Sequence, residues 1–159
     1  MEDISIVLCG EAGQGIETIE DILTRVLKIS KYNIFAVKEY MSRVRGGVNS
    51  TEIRVSPKPI RAYVDRIDLL FALSNKAIDH LKNRTSDSTL IFGDKEAISD
   101  NSNLIDIPLS KTSKKLGSNL YANTITAGVI CRLLNVPEYD VNTFINKYFD
   151  KKGEEIINK

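Results

Sequence analysis

Tryptophan is absent from this sequence, and histidine and cysteine nearly so: His80 stands alone, and the only thiols are Cys9 and Cys131. A single histidine excludes a histidine-rich metal centre. Two distant cysteines, neither in a Cys-x-x-Cys pair, exclude an ordinary four-cysteine iron–sulfur cluster held by this chain. They read as buried small hydrophobes, and His80 as the decoration of a helix. An excess of either charge is also missing. With 22 basic and 21 acidic residues the formal net charge is +1, so the bulk charge gives no reason to expect nucleic acid or an anionic membrane as a partner. Apolar runs stay well short of a membrane span. The start Met1-Glu-Asp lacks the basic opening of a signal peptide, which makes the cytoplasm the expected compartment. Catalytic constellations are lacking as well. No serine sits in a nucleophile elbow, and the adjacent carboxylates Glu154-Glu155 lie on a polar tail.

What remains suits one soluble domain over residues 1–159. Hydrophobic content of 42% and charged content of 27% are ordinary for a globular chain. Ile4–Cys9 is an apolar run that reads as a buried strand. From Ile16 the apolar positions Ile19, Ile22, Leu23, Val26 and Leu27 recur at helical spacing, so a helix runs to about Ser30-Lys31. Asn33–Tyr40 is the next strand. Strand, turn, helix and strand predict a βαβ unit with a right-handed crossover and hence a parallel sheet core. Asn49–Ser56 alternates polar and apolar residues, as in a strand with one wet face. Pro57-Lys-Pro59 turns the chain, and Ile60–Tyr63 is expected to add a short strand to an antiparallel insertion. Leu69–Leu73, Ser88–Gly93 and Asn103–Ile107 read as further strands. A short helix from Lys76 to Asn83 is capped by Ser74-Asn75. Leu120–Leu134 is nearly all apolar and predicts a buried helix. Pro137 opens a last helix with Val141, Phe144, Ile145, Tyr148 and Phe149 on one face. The fold class is therefore α/β, with a mostly parallel sheet and an antiparallel insertion.

Two motifs carry the chemistry. The first is Gly10-Glu-Ala-Gly-Gln-Gly-Ile16, a glycine-rich turn between the first strand and the first helix. Its glycines admit unusual backbone angles, and amides at a helix start favour an anion. The spacing G-x-x-G-x-G is neither the dinucleotide fingerprint nor a P-loop. Glu39 nevertheless falls about where the ribose-binding acid of a dinucleotide enzyme would lie. The turn is thus either a nucleotide-binding element or a tight junction that only packs. The second motif, Ser42-Arg-Val-Arg-Gly-Gly-Val-Asn-Ser-Thr51, brings Arg43 and Arg45, with Lys38 nearby, to the same sheet edge. It is either a clamp for a phosphate or carboxylate, or a loop that docks on a partner subunit.

Taken together, these motifs resemble those of the gamma subunit or domain of 2-oxoacid:ferredoxin (acceptor) oxidoreductases. The resemblance spans most of the chain. It is carried by Gly-x-x-Gly-Gln-Gly-Ile at 10–16, by Glu39-Tyr40 leading to Ser42-Arg-x-Arg-Gly-Gly47, by Asn49 with Thr51–Ser56, and by Asn123-x-x-x-x-Gly128. It is similar to the branch in which gamma precedes alpha in one chain, which implies a single gamma-type domain at the start of a longer gamma–alpha polypeptide. The family implies a Rossmann-like three-layer fold and a role on the coenzyme A side of the oxidation of pyruvate, 2-oxoglutarate or related 2-oxoacids. Thiamine diphosphate and iron–sulfur clusters are then expected on alpha, beta and ferredoxin-like components, with ferredoxin or a similar acceptor reached through the complex. The residues carried over as binding positions are Gly10, Gly13, Gln14, Gly15, Arg43, Arg45, Gly46, Gly47 and Asn49; no catalytic residue and no metal ligand is assigned. Ala12 stands where a further glycine is frequent, and Val48 where a histidine is frequent. The alternatives are a free-standing nucleotide module that binds, for example, NAD, and a purely structural docking domain.

Overall fold

The computed structural model describes residues 3–41, 47–99 and 103–150. In chain order the elements are β1 (Ile4–Glu11), α1 (Ile16–Ile29), β2 (Asn33–Tyr40), β3 (Val48–Ser56), β4 (Leu69–Ala72), α2 (Asn75–Leu81), β5 (Leu90–Gly93), β6 (Leu104–Asp106), α3 (Leu109–Lys115), α4 (Tyr121–Leu133) and α5 (Glu138–Phe149). The strands form one sheet in the order β2-β3-β1-β4-β5-β6. β1, β4, β5 and β6 pair in parallel. β3 runs antiparallel to both of its neighbours, β1 and β2.

The sheet has a helical layer on each face. Ile6, Leu8, Ile53, Val55, Phe71 and Phe92 project from it into a core shared with α1, α4 and α5, which Leu109 of α3 joins. Val7, Cys9, Leu70 and Ala72 project the other way, beneath Ala77 and Leu81 of α2. This alternation follows from the two-residue side-chain period of a strand buried on both faces. Ile6, Val7 and Leu8 have no solvent exposure, and each contributes roughly 1.5–3 kcal/mol of burial. Residues Ile16, Ile19, Ile22, Leu23, Val26 and Leu27 of α1 are all buried, on the helical stripe expected from their spacing.

The expected α/β class holds, with several corrections within it. β1 and β2 point the same way, but they are not neighbours, because β3 lies between them. The parallel core therefore begins at β1 and β4. β3 reads half-wet in sequence, yet Ser50, Thr51 and Ser56 are buried together with its apolar residues. A strand with partners on both edges and helices on both faces hides polar residues too. Ile60–Tyr63 forms no strand; that stretch is an irregular connection. α4 is not buried all round: Thr126, Ala127, Ile130 and Cys131 are buried, whereas Leu133 is exposed and Leu120 just before the helix is 81% exposed. α3 is an element that apolar periodicity does not signal, since Ser110–Lys115 holds no hydrophobic residue.

Candidate functional site

The register of β3 against β1 brings the two sequence motifs together. Gly10 lies opposite Asn49 and Glu11 opposite Val48, so the start of β3 flanks the glycine turn. The Ala12 amide donates to the Gly47 carbonyl across 3.3 Å. Within the turn, Gly13 has φ +91° and Gly15 φ +83°. The left-handed region disfavours a side chain at both positions, and the two sites also differ in space. A Cβ on Gly13 would meet nothing within 4 Å, whereas one on Gly15 would overlap the side-chain amide of Asn123 from α4. Gly15 therefore allows α4 to close on the turn, and it is the residue from which α1 starts.

Gln14 spans the carboxyl ends of β1 and β4. Its Oε1 accepts from the Glu11 amide at 2.6 Å, and its Nε2 donates to the Leu73 carbonyl at 3.0 Å. Gly10 is small because of this strut: a Cβ there would sit 2.9 Å from Cβ of Leu73 and press on Gln14 Oε1. Gly10 thus shapes the turn from within the sheet, while Gly13, Gly15 and Asn49 face a cleft.

That cleft has a volume of about 310 Å³ and lies between the start of α1 and the first residues of β3, with Gly13, Gly15, Thr18, Tyr40, Asn49 and Thr51 among its walls. Its carboxylates are engaged. Glu11 pairs with Lys76 at 2.9 Å, and Glu17 accepts the Tyr40 hydroxyl at 2.9 Å, an interaction that raises the ionisation range of that phenol. The Thr18 and Ile19 amides donate to the Gly15 carbonyl, which leaves the Ile16 and Glu17 amides as the donors that this end of the helix presents. Gly47 is buried beside the cleft. Arg43, Arg45 and Gly46 lie outside the described residues.

Two other sequence candidates have different occupations. Lys38 pairs with Glu20 of α1 at 2.7 Å. Glu39 faces the opposite side of the sheet, where Ser50 Oγ donates to it at 3.1 Å and His80 Nε2 lies 3.3 Å away. With β3 intervening, Glu39 is two strands from the glycine turn and on the wrong face for a ribose contact. Cys9 and Cys131 are buried free thiols. Burial pushes them up to about 12 and about 11 respectively, so neither supplies a thiolate near neutral pH.

A second cleft, of about 460 Å³, opens on the far side of Gly13 and Gln14 and reaches Asp94, α3 and the start of α4. Sequence reading misses it because α3 gives no apolar pattern. Burial alone would raise the Asp94 carboxyl. Hydrogen bonds from the Ser110 side chain, the Ser110 amide and the Glu96 amide outweigh that and hold it below the ordinary carboxylate range. Asp94 is thereby a saturated anchor for the first turn of α3.

Among the described residues no group of three or more histidines, cysteines or carboxylates could hold a metal ion, and no helix is long and apolar enough to cross a membrane.

Comparison with known proteins adds the following. A family model described as pyruvate ferredoxin/flavodoxin oxidoreductase matches residues 5–159. A 2-oxoacid:ferredoxin oxidoreductase subunit alpha from Sulfolobus sp is 28% identical over 75 residues, 47% of this chain and 12% of that protein. Among solved structures, 2-oxoglutarate:ferredoxin oxidoreductase from Magnetococcus marinus, with 2-oxoglutarate, coenzyme A and succinyl-CoA bound, superposes with a TM-score of 0.86 at 22% identity, over 99% of this chain and 29% of that one. The gamma subunit of a keto/oxoacid ferredoxin oxidoreductase from Geobacter sulfurreducens gives 0.75 at 18% identity, over 91% of this chain and 85% of that one. At these identities the structural likenesses establish the fold.

Proposed function

This chain belongs to the pyruvate ferredoxin/flavodoxin oxidoreductase family, and on that premise we propose that it is the gamma-type component of a thiamine diphosphate-dependent 2-oxoacid:ferredoxin oxidoreductase. It supports coenzyme A-dependent oxidative decarboxylation in the cytoplasm and is inactive alone. The observation that carries this reading is the family match over residues 5–159, nearly the whole chain. In support, the Geobacter gamma subunit is itself covered over 85% of its length, so the folded unit corresponds to a gamma subunit in extent. The match to a small part of a longer alpha subunit supports the related reading that this domain precedes an alpha-like domain in one polypeptide.

The chemistry of the residues present fits a supporting role. Two buried, protonated thiols do not fit an iron–sulfur cluster. The sequence has no Gly-Asp-Gly thiamine motif. Thiamine diphosphate and the clusters are therefore assigned to alpha, beta and ferredoxin-like partners. The glycine turn does fit a phosphate-bearing ligand: a cleft, two left-handed glycines and the donor end of α1 converge there. Gly13, Gly15 and Asn49, with Arg43, Arg45, Gly46 and Gly47 of the adjoining loop, are the proposed coenzyme A-facing residues, and Gly10 and Gln14 shape the turn that carries them. The coenzyme supplies the thiol that accepts the acyl group; these residues hold and orient its anionic portion.

Replacing Arg43 and Arg45 by alanine in the assembled enzyme tests the site. Loss of charge-assisted contacts to phosphate should raise the apparent KM for coenzyme A by about tenfold or more, with kcat nearly kept. Impaired assembly at unchanged KM would favour subunit docking. Tight binding of NAD by the chain alone would favour the free-standing nucleotide module.

A further inference from the structure

We propose that residues 151–159 fold back into an apolar groove between α4 and α5, with Ile156 and Ile157 as the side chains that enter it. Gly128 lies in the middle of α4, where glycine is the least favourable residue after proline. Its backbone does not take the left-handed form that would require glycine. A Cβ there would meet nothing within 4 Å among the described residues, and Gly128 is exposed. The missing side chain thus serves no contact within the described fold. One end of the Asn123-x-x-x-x-Gly128 motif is accounted for, since Asn123 closes on Gly15. The other end is a notch in the outer surface of α4, of the kind that lets another segment approach the helix backbone closely.

The notch opens on a groove of about 30 Å³, lined by Ile22 and Val26 of α1, Ala127 and Cys131 of α4, and Phe144 and Phe149 of α5. Such walls offer a water no partners, so the space suits the end of an aliphatic side chain. The chain leaves α5 at this groove. Tyr148 packs on Phe144 and Phe149 with ring centroids 5.0 and 4.9 Å apart, and Arg25 of α1 lies 6.0 Å from its ring centroid. These contacts fix the last turn of α5 against α1, with Phe149 itself in the wall. The residues that follow, Lys151-Lys-Gly-Glu-Glu-Ile-Ile-Asn-Lys159, are polar except for Gly153 and the adjacent pair Ile156-Ile157. Gly153 permits a reversal of the chain. The stretch from Phe149 to Ile156 spans up to about 23 Å when extended, well beyond the roughly 8 Å of helix between Phe144 and Phe149. Charge agrees with this occupant. Arg132, one helical turn beyond Gly128, is exposed and enters none of the ion pairs among the described residues. Glu154-Glu155 stand immediately before the two isoleucines. An exposed pair of this kind orients the segment more than it stabilises it.

The test is urea denaturation and amide NMR of the full chain as the native sequence, Gly128→Ala, the double variant Ile156→Asp/Ile157→Asp, and all three substitutions combined. Alanine is the better helix former, so over an empty notch Gly128→Ala should raise the urea midpoint by about half a molar. Over an occupied notch the added methyl meets the docked segment and should lower the midpoint. The native background should show the fall, and the aspartate background the rise. In the spectra, Ile156→Asp/Ile157→Asp should move the amides of Thr124, Gly128 and Cys131. It should leave those of α2, on the other face of the sheet, in place; the same spectra report whether each variant is folded. A rise of equal size in both backgrounds, or a Gly128 amide that does not respond to the isoleucine substitutions, would overturn the docking of this segment. Gly128 shifts that appear only as the protein concentration is raised would give the groove to a second copy of the chain. Impaired assembly with partner components as the sole effect of Gly128→Ala would give it to a partner. Either result contradicts occupation by residues 151–159.

Discussion

Gly13 and Gly15 share the left-handed backbone but not its surroundings. Alanine at Gly13 meets only conformational strain, so Gly13→Ala should cost about 1–2 kcal/mol. Alanine at Gly15 must also displace the Asn123 amide, so Gly15→Ala should cost more than Gly13→Ala in urea denaturation. In an Asn123→Ala background the excess should shrink, which makes the pair a double-mutant cycle. Asp94 gives a second residue-level expectation. Its folded ionisation range lies below the ordinary 3.8, so it stabilises the fold above that value, and the contribution disappears as pH falls through the folded value. The stability gap between the native chain and Asp94→Asn should be widest near neutral pH and narrow as the pH falls below 3.8 and through the lower folded value. A gap that does not change with pH would contradict this role. The glycines were legible in the sequence because they are punctuation. The partners that make Gly15 and Gly10 necessary, Asn123 and Leu73, sit 108 and 63 residues further along the chain, respectively, a separation that no local pattern encodes.

At the scale of elements, β1, α1 and β2 were legible nearly to the residue, since period-two and helical spacing are local signals. Strand order was not. A βαβ pattern reads the same whether its strands are adjacent or separated, and only the non-local pairing of β3 with both β1 and β2 decides. That one strand changes the functional reading. It moves Glu39 away from the glycine turn and carries Asn49 and Thr51 to its edge. α4 shows the opposite limit: a nearly continuous apolar run cannot reveal which side meets solvent. Ile130 is fully buried, while Leu133 is 42% exposed. Ile130→Ala should therefore cost about 2–5 kcal/mol, and Leu133→Ala should stay within about 0.5 kcal/mol. Equal costs in thermal or urea melts would restore the all-round burial that the sequence suggests. α3 escaped notice because Ser110–Lys115 has no apolar residue; its position comes from Asp94 and from packing on α4.

For the whole molecule, a six-stranded sheet with helices on both faces supplies a rigid platform. The groups proposed to face a ligand gather at one end, around the turn that follows β1. Half of the candidate site could be read from the glycine motif and Asn49. The second cleft, with Asp94, Lys114 and Asn119 on its walls, could not, because it is assembled from four separate elements. In the proposed function the activity belongs to an assembly whose other components supply the redox groups. The most direct measurement is complementation. A 2-oxoacid:ferredoxin oxidoreductase lacking its gamma component is assayed for coenzyme A-dependent acceptor reduction with and without this chain, after circular dichroism has verified that the chain is folded. Restored, coenzyme A-dependent turnover, with none from the chain alone, is the predicted result. A folded chain that associates with no partner and restores no turnover would contradict the assignment.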